Sequence, residues 1–219
     1  MTKNGQIHRH SLVVRLCHWL IALSGLLLTF SGIGFMPLYG RFYLNELPGL
    51  HWVTHFQTQM NLHYLAAGLF IAACLFHLLY HWRRGEFALV PQRGDLKESW
   101  LIIKAMLMKG QEPAHEKFLA EQRIAYATFA LTIGVLSASG YFLAVKNTLG
   151  WHVAPQVLQV IILMHLVFTF LFLLQIALHL GAFILKANRP LFASMFNGRV
   201  TLSYAAKRHS RWVKRNRIR

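Results

Sequence analysis

The run from Ile161 to Leu185, IILMHLVFTFLFLLQIALHLGAFIL, contains no Asp, Glu, Lys or Arg. A helix of that length spans the hydrocarbon of a bilayer, so a membrane is the environment it demands. Two histidines interrupt it, His165 and His179, fourteen positions apart. On an α-helix that interval is about 21 Å of rise and about 40° of rotation. One helix can therefore hold two imidazoles on nearly one face, one towards each edge of the hydrocarbon. Ionisable side chains inside a span are functional candidates by default. This spacing suggests two metal centres stacked across the membrane.

The rest of the chain agrees. Its 219 residues are 55% hydrophobic and only 14% charged, and the mean hydropathy is +0.40. That profile excludes an ordinary soluble domain. Cys17 and Cys74 both lie in apolar stretches, so no disulfide framework is expected. There is no C-x-x-C-H, so any haem is held without thioether links. The first apolar stretch is too long for a signal-peptide core and no clean small-residue cleavage site follows it. It is expected to remain in the mature protein.

Hydropathy predicts an all-α integral membrane four-helix bundle, a single membrane domain over residues 1–219. The spans are expected at about 15–39, 59–82, 124–145 and 157–186. His18 falls near the start of the first span, and His63 and His77 near the two ends of the second; the third has no histidine. Gly25, Gly32 and Gly34 thin the first span, so that a neighbouring helix or a flat ligand can approach its backbone. Residues 40–58 form an aromatic-rich loop, and 83–123 a long polar one. Within the latter, Asp95 to Lys109 reads as an amphipathic helix on the membrane surface. Residues 187–219 are a basic tail.

The net charge of +16 is unevenly spread. The segment up to Arg15 has three Lys and Arg, the 83–123 loop eight and the tail from Lys186 ten, while Arg41 and Lys146 stand alone in the other two loops. The positive-inside rule then places both termini and the 83–123 loop in the cytoplasm of a bacterial inner-membrane protein. Topology and anionic lipid account for the basic excess, and no separate basic domain exists to bind nucleic acid.

That orientation sorts the histidines by depth. His63 and His165 fall in a periplasmic layer, and His18, His77 and His179 in a cytoplasmic one. Two imidazoles at matched depth on separate helices are what a six-coordinate haem b requires. A hard cation would need carboxylates, which the spans lack, and tetrahedral zinc would need four ligands in one layer. The outer pair is unambiguous. The inner layer has three candidates for two positions; spacing favours His77, which repeats the fourteen-residue interval, with His18 as its competitor. A single membrane histidine is as well explained by a hydrogen bond between helices, but two matched layers are not. His51, His55, His81, His115, His152 and His209 are expected to be interfacial or solvated. Trp19, Trp52, Trp82 and Trp151 are expected to be interface anchors.

Several motifs resemble one family. RLCHW around His18, LHYLAAGLF around His63, the I-x-x-H and second histidine of the fourth span, and the tail GRVTLSYAAKRHSRW resemble the gamma, or cytochrome b, subunit of membrane-bound respiratory formate dehydrogenases. The resemblance covers nearly the whole chain. Related b-type cytochromes serve nickel–iron hydrogenases and thiosulfate reductases. It implies a four-helix subunit with two haems b, the matches to His63 and His165 pairing on one and those to His18 and His179 on the other. His77 becomes the runner-up, because the family often has an apolar residue there. The family's quinone stretch, Asn-x-Gly-Gln-Lys before the third span, is replaced here by Leu119-Ala120-Glu121-Gln122-Arg123. Glu121 is a candidate proton donor, with a solvated loop carboxylate as the plainer reading.

The resemblance implies electron transfer from a periplasmic iron–sulfur subunit, fed by a molybdopterin or nickel–iron catalytic subunit, to menaquinone or ubiquinone. The chain has no pterin or nickel site and no cysteine cluster, so primary substrate oxidation is expected elsewhere. The alternatives are a stand-alone b561-type cytochrome oxidising a small donor, a hydrogenase cytochrome b, and a haem-free anchor.

Overall fold

A computed structural model describes residues 5–108 and 114–217 of the chain. Lys3, Lys109 and Arg219, counted above among the basic residues, lie outside the described residues, as does the Lys109 end of the expected surface helix. Strand β1 (Gln6–His8) leads into α1 (Leu12–Gly34); α2 (Leu38–Arg41) and two 3-10 turns, Leu44–Glu46 and His51–Thr54, precede α3 (Phe56–Arg83). Then come α4 (Asp95–Leu107), α5 (Ala120–Leu149) and α6 (Pro155–Gly181), the last continued by the 3-10 turn Ala182–Ile184. A further 3-10 turn, Lys186–Asn188, leads to α7 (Arg189–Asn197), β2 (Arg199–Thr201), α8 (Leu202–Arg208) and α9 (Ser210–Arg217).

Among the described residues, α1, α3, α5 and α6 are long and apolar enough to cross a membrane. Their ends follow local chemistry. The Ser11 hydroxyl accepts from the Val14 N–H at 3.3 Å and caps α1. Pro155 opens α6 at the position where a missing N–H costs nothing. On α6 Phe172 is buried, while Val160, Leu163, Phe170, Leu174 and Leu178 are exposed. In water such a surface would be unfavourable by about 25 cal/mol per Å2 of apolar area, and lipid removes that cost.

Two compact units are distinguished, and the division cuts all four long helices. One unit comprises residues 16–80 and 135–173. At its centre Phe70 and Phe172 meet edge to face, with centroids 6.1 Å apart. A Cβ built on Gly25 would lie 3.2 Å from Phe70 and 3.5 Å from Phe172, so this glycine lets α1 approach the aromatic pair. Gln59, fully buried, donates to the Val53 carbonyl at 2.7 Å and ties the 40–58 loop to the start of α3.

The other unit comprises residues 1–15, 81–134 and 174–219. Strands β1 and β2 pair antiparallel, Ile7 opposite Val200, an addition the all-α expectation did not include. Gly198 takes φ +76°, and a Cβ there would lie 2.7 Å from the His10 carbonyl, so the turn between α7 and β2 needs glycine. Val200, Ala205, Trp212 and Val213 form a core with Ile7, Leu202 and Tyr204. The tail is thus a folded element and not only a determinant of topology. Arg9 is 3% exposed; its guanidinium lies over the Phe118 and Trp212 rings at 5.4 and 5.5 Å and donates to the Lys117 carbonyl at 2.6 Å.

Two histidines expected to be interfacial or solvated are not. His115 and His209 are 1% and 0% exposed. The reason is that the N-terminal strand, the end of the 83–123 loop and the tail helices fold together around them. Helix α4 is two-sided. Asp95, Ser99 and Ile102 are buried, and Leu96, Trp100 and Ile103, about 100° further round the helix, are exposed. The Asp95 carboxylate takes two bonds from Arg123, at 2.5 and 2.8 Å, and both residues are buried. That pair holds the Asp95 carboxyl below the usual carboxylate range.

Candidate functional site

His63 and His165 lie in the same compact unit, one on α3 and one on α6. Each is half-buried. Their surroundings are duplicates. The Ser31 hydroxyl lies 2.9 Å from Nδ1 of His63, and the Ser139 hydroxyl lies 2.9 Å from Nδ1 of His165. Each serine is followed by a glycine on the same ring. A Cβ at Gly32 would lie 3.5 Å from His63 Cε1, and one at Gly140 would lie 3.1 Å from His165 Cε1. α1 thus supports the α3 histidine as α5 supports the α6 histidine.

Each hydroxyl also has a backbone carbonyl within hydrogen-bond distance. Ser31 Oγ lies 2.8 Å from the Leu27 carbonyl, and Ser139 Oγ lies 2.7 Å from the Val135 carbonyl, each one turn back on its own helix. A hydroxyl that donates there is an acceptor towards imidazole. In that arrangement Nδ1 carries the ring proton and Nε2 keeps its lone pair. That is the nitrogen a metal takes.

The remaining candidates are placed as follows. His18, half-buried on α1, stands edge to face with Trp19 at 5.5 Å. His77 is half-buried on α3. His179 is exposed on α6 and meets the edges or faces of Phe129 and Phe183, with centroids 6.3 and 5.7 Å away. His18 and His77 belong to the same unit as His63, and His179 belongs to the other.

Haem b suits these residues. A porphyrin brings four nitrogens of its own and asks one or two of the protein. Among the described residues no three His, Cys, Asp or Glu side chains gather to hold a bare metal ion. Small residues beside the imidazoles and apolar, exposed span surfaces fit a large flat apolar ligand. Ser31 and Ser139 were not singled out from the sequence, and the third span was assigned no role. The repeated Ser-Gly dipeptide, at 31–32 and 139–140, was the available signal. It was weak, because Ser24-Gly25 has the same form and meets phenylalanines instead.

The stretch in place of the family's quinone motif serves packing. Leu119 and Ala120 are buried against Ile102. The Gln122 amide oxygen accepts from the Leu119 N–H at 3.2 Å. Arg123 is held by Asp95 and donates to the Phe118 carbonyl at 2.9 Å. Glu121 is half-buried in the first turn of α5.

Comparison with known proteins agrees with this picture. Residues 9–198 match the family described as prokaryotic cytochrome b561. The cytochrome b556 subunit of formate dehydrogenase from Haemophilus influenzae is 22% identical over 222 residues, covering 98% of this chain and 85% of the relative. The cytochrome b556(Fdn) subunit of the nitrate-inducible formate dehydrogenase from Escherichia coli K12 is 24% identical over 220 residues, covering 98% and 93%.

Proposed function

The chain belongs to the prokaryotic cytochrome b561 family, and from that premise we propose that it carries electrons across a bacterial inner membrane as the dihaem cytochrome b subunit of a respiratory dehydrogenase. Formate dehydrogenase is the best-supported complex, because the relatives aligned over nearly the full chain are its cytochrome subunits. The donor is a periplasmic iron–sulfur subunit supplied by a molybdopterin catalytic subunit, and the acceptor is menaquinone or ubiquinone. Both termini are cytoplasmic, as the distribution of Lys and Arg requires.

The observation that carries this reading is the duplicated histidine environment. His63 and His165 each have a serine hydroxyl 2.9 Å from Nδ1, which supports a ring that ligates through Nε2. We assign them as the axial ligands of the outer haem, and His18 and His179 as those of the inner one, with His77 in reserve. Haem b at each position would supply one-electron chemistry at iron. The protein's part is to hold the imidazoles on separate helices, to exclude water with the apolar spans, and to set how strongly each ring donates to the metal. An electron moving inward crosses the membrane potential, at about 2.3 kcal/mol per charge per 100 mV.

Replacement of His63 or His165 by alanine in the purified protein tests the ligand assignment. The expected result is loss of the outer haem from the reduced absorption spectrum; unchanged pigment would falsify it. Purification from gently solubilised membranes tests the complex. Co-purifying molybdenum supports formate dehydrogenase, and nickel supports a hydrogenase. A particle with haem alone supports the stand-alone b561-type cytochrome.

A further inference from the structure

We propose that Ser31 and Ser139 are positioning residues that lock His63 and His165 as Nδ1–H tautomers, leaving Nε2 of each ring for the iron. This rests on the assignment of those histidines as haem ligands. Both serines are almost wholly buried, at 0% and 2% exposed, so neither hydroxyl has water as an alternative partner. Each sits 2.9 Å from an imidazole Nδ1 and within hydrogen-bond distance of a backbone carbonyl of the preceding turn. Helix back-bonding alone does not produce this arrangement. Ser24 is equally buried, is also followed by glycine, and its hydroxyl is used on the Leu20 and Ile21 carbonyls.

Ser31 is the acceptor placed on Nδ1 of His63, and Ser139 the acceptor placed on Nδ1 of His165. An imidazole whose N–H is accepted is the more basic ligand and favours the ferric state. Loss of the acceptor therefore raises the reduction potential and loosens the metal. Losing an outer-shell partner of a ligand typically costs about 10- to 100-fold in metal affinity.

The test is a redox titration of the full-length, detergent-purified, haem-loaded protein, followed in its reduced absorption band. In Ser139→Ala, one of the two transitions is expected to rise by about 59 mV, which is a tenfold change in ferric-to-ferrous preference for one electron. Ser31→Ala is expected to move it likewise, and Ser139→Thr, which keeps a hydroxyl, should titrate close to the parent. A purely structural role would lower protein yield without moving a potential. An unchanged potential in Ser139→Ala, measured alongside a His165→Ala variant that has lost a haem, overturns the proposal and leaves the ligand assignment intact. Should Ser139→Ala lose the haem altogether, recovery of pigment in Ser139→Thr supports the proposal and failure to recover it overturns it. A His165→Ala variant that keeps both haems refutes the ligand assignment itself.

Discussion

The imidazoles of the spans and those of the terminal unit are both withdrawn from water, yet they are built for opposite ends. His63 and His165 have a serine on Nδ1, a glycine against the ring edge, and lipid-facing helices around them. His209 donates from Nδ1 to the Glu116 carbonyl at 2.8 Å, but its ring packs against Tyr204 and Trp212 at 5.7 and 6.2 Å. His63 and His165 have a glycine Cα at the ring edge, with Phe35 also 5.4 Å from the His63 ring, whereas His209 is packed by two large aromatic rings. Burial of a histidine therefore says little about ligation.

The largest effect should come from removing a ring of each kind. His165→Ala is expected to lose one of two haems, and His209→Ala none, by haem assay per mole of protein. Pigment loss in the His209 variant would erase the distinction. Next in size is Asp95→Ala, which leaves the Arg123 guanidinium buried without its carboxylate. A loss of about 3–5 kcal/mol is expected, read by denaturant unfolding in detergent, with haem content unchanged in whatever fraction stays folded.

The pH response should belong to the terminal unit. Burial, and then the neighbouring Arg9 charge, push His209 down to about 4 from the ordinary 6.5, with Arg208 and His115 adding to the effect. Since the folded value lies below the unfolded one, the unfolded chain takes the proton first. Stability is complete above about pH 6.5 and is lost as pH falls towards 4, by about 3 kcal/mol. Melting followed between pH 7 and 5 checks this, and His209→Gln should flatten the slope. The smallest effect is expected from Gly140→Ala. Its Cβ would lie 3.1 Å from His165 Cε1 and must displace the ring by a few tenths of an ångström. A shifted reduced band is expected there, and none for Gly134→Ala, where nothing lies within 4 Å.

Much of this was legible in the chain. Long uncharged runs can only be helices in lipid, because unsatisfied backbone groups are intolerable there. The interval between His165 and His179 follows from helix geometry alone. The Ser-His partnerships were not legible. They join residues 32 and 26 positions apart on different helices, and back-bonding serines are common without any histidine nearby. The tail was misjudged for a related reason. Its basic composition masks the spacing of Val200, Ala205, Trp212 and Val213, which become a core only when β1 pairs with β2.

By itself the order of residues determined the membrane, the number of long helices and the spacing of the imidazoles along them, since hydropathy and helical rise are local properties. Which side chain turns towards which ring, and whether a buried histidine faces glycine or tryptophan, depends on how separate helices pack. Only the tertiary structure decided that, because such contacts arise between segments far apart in the chain.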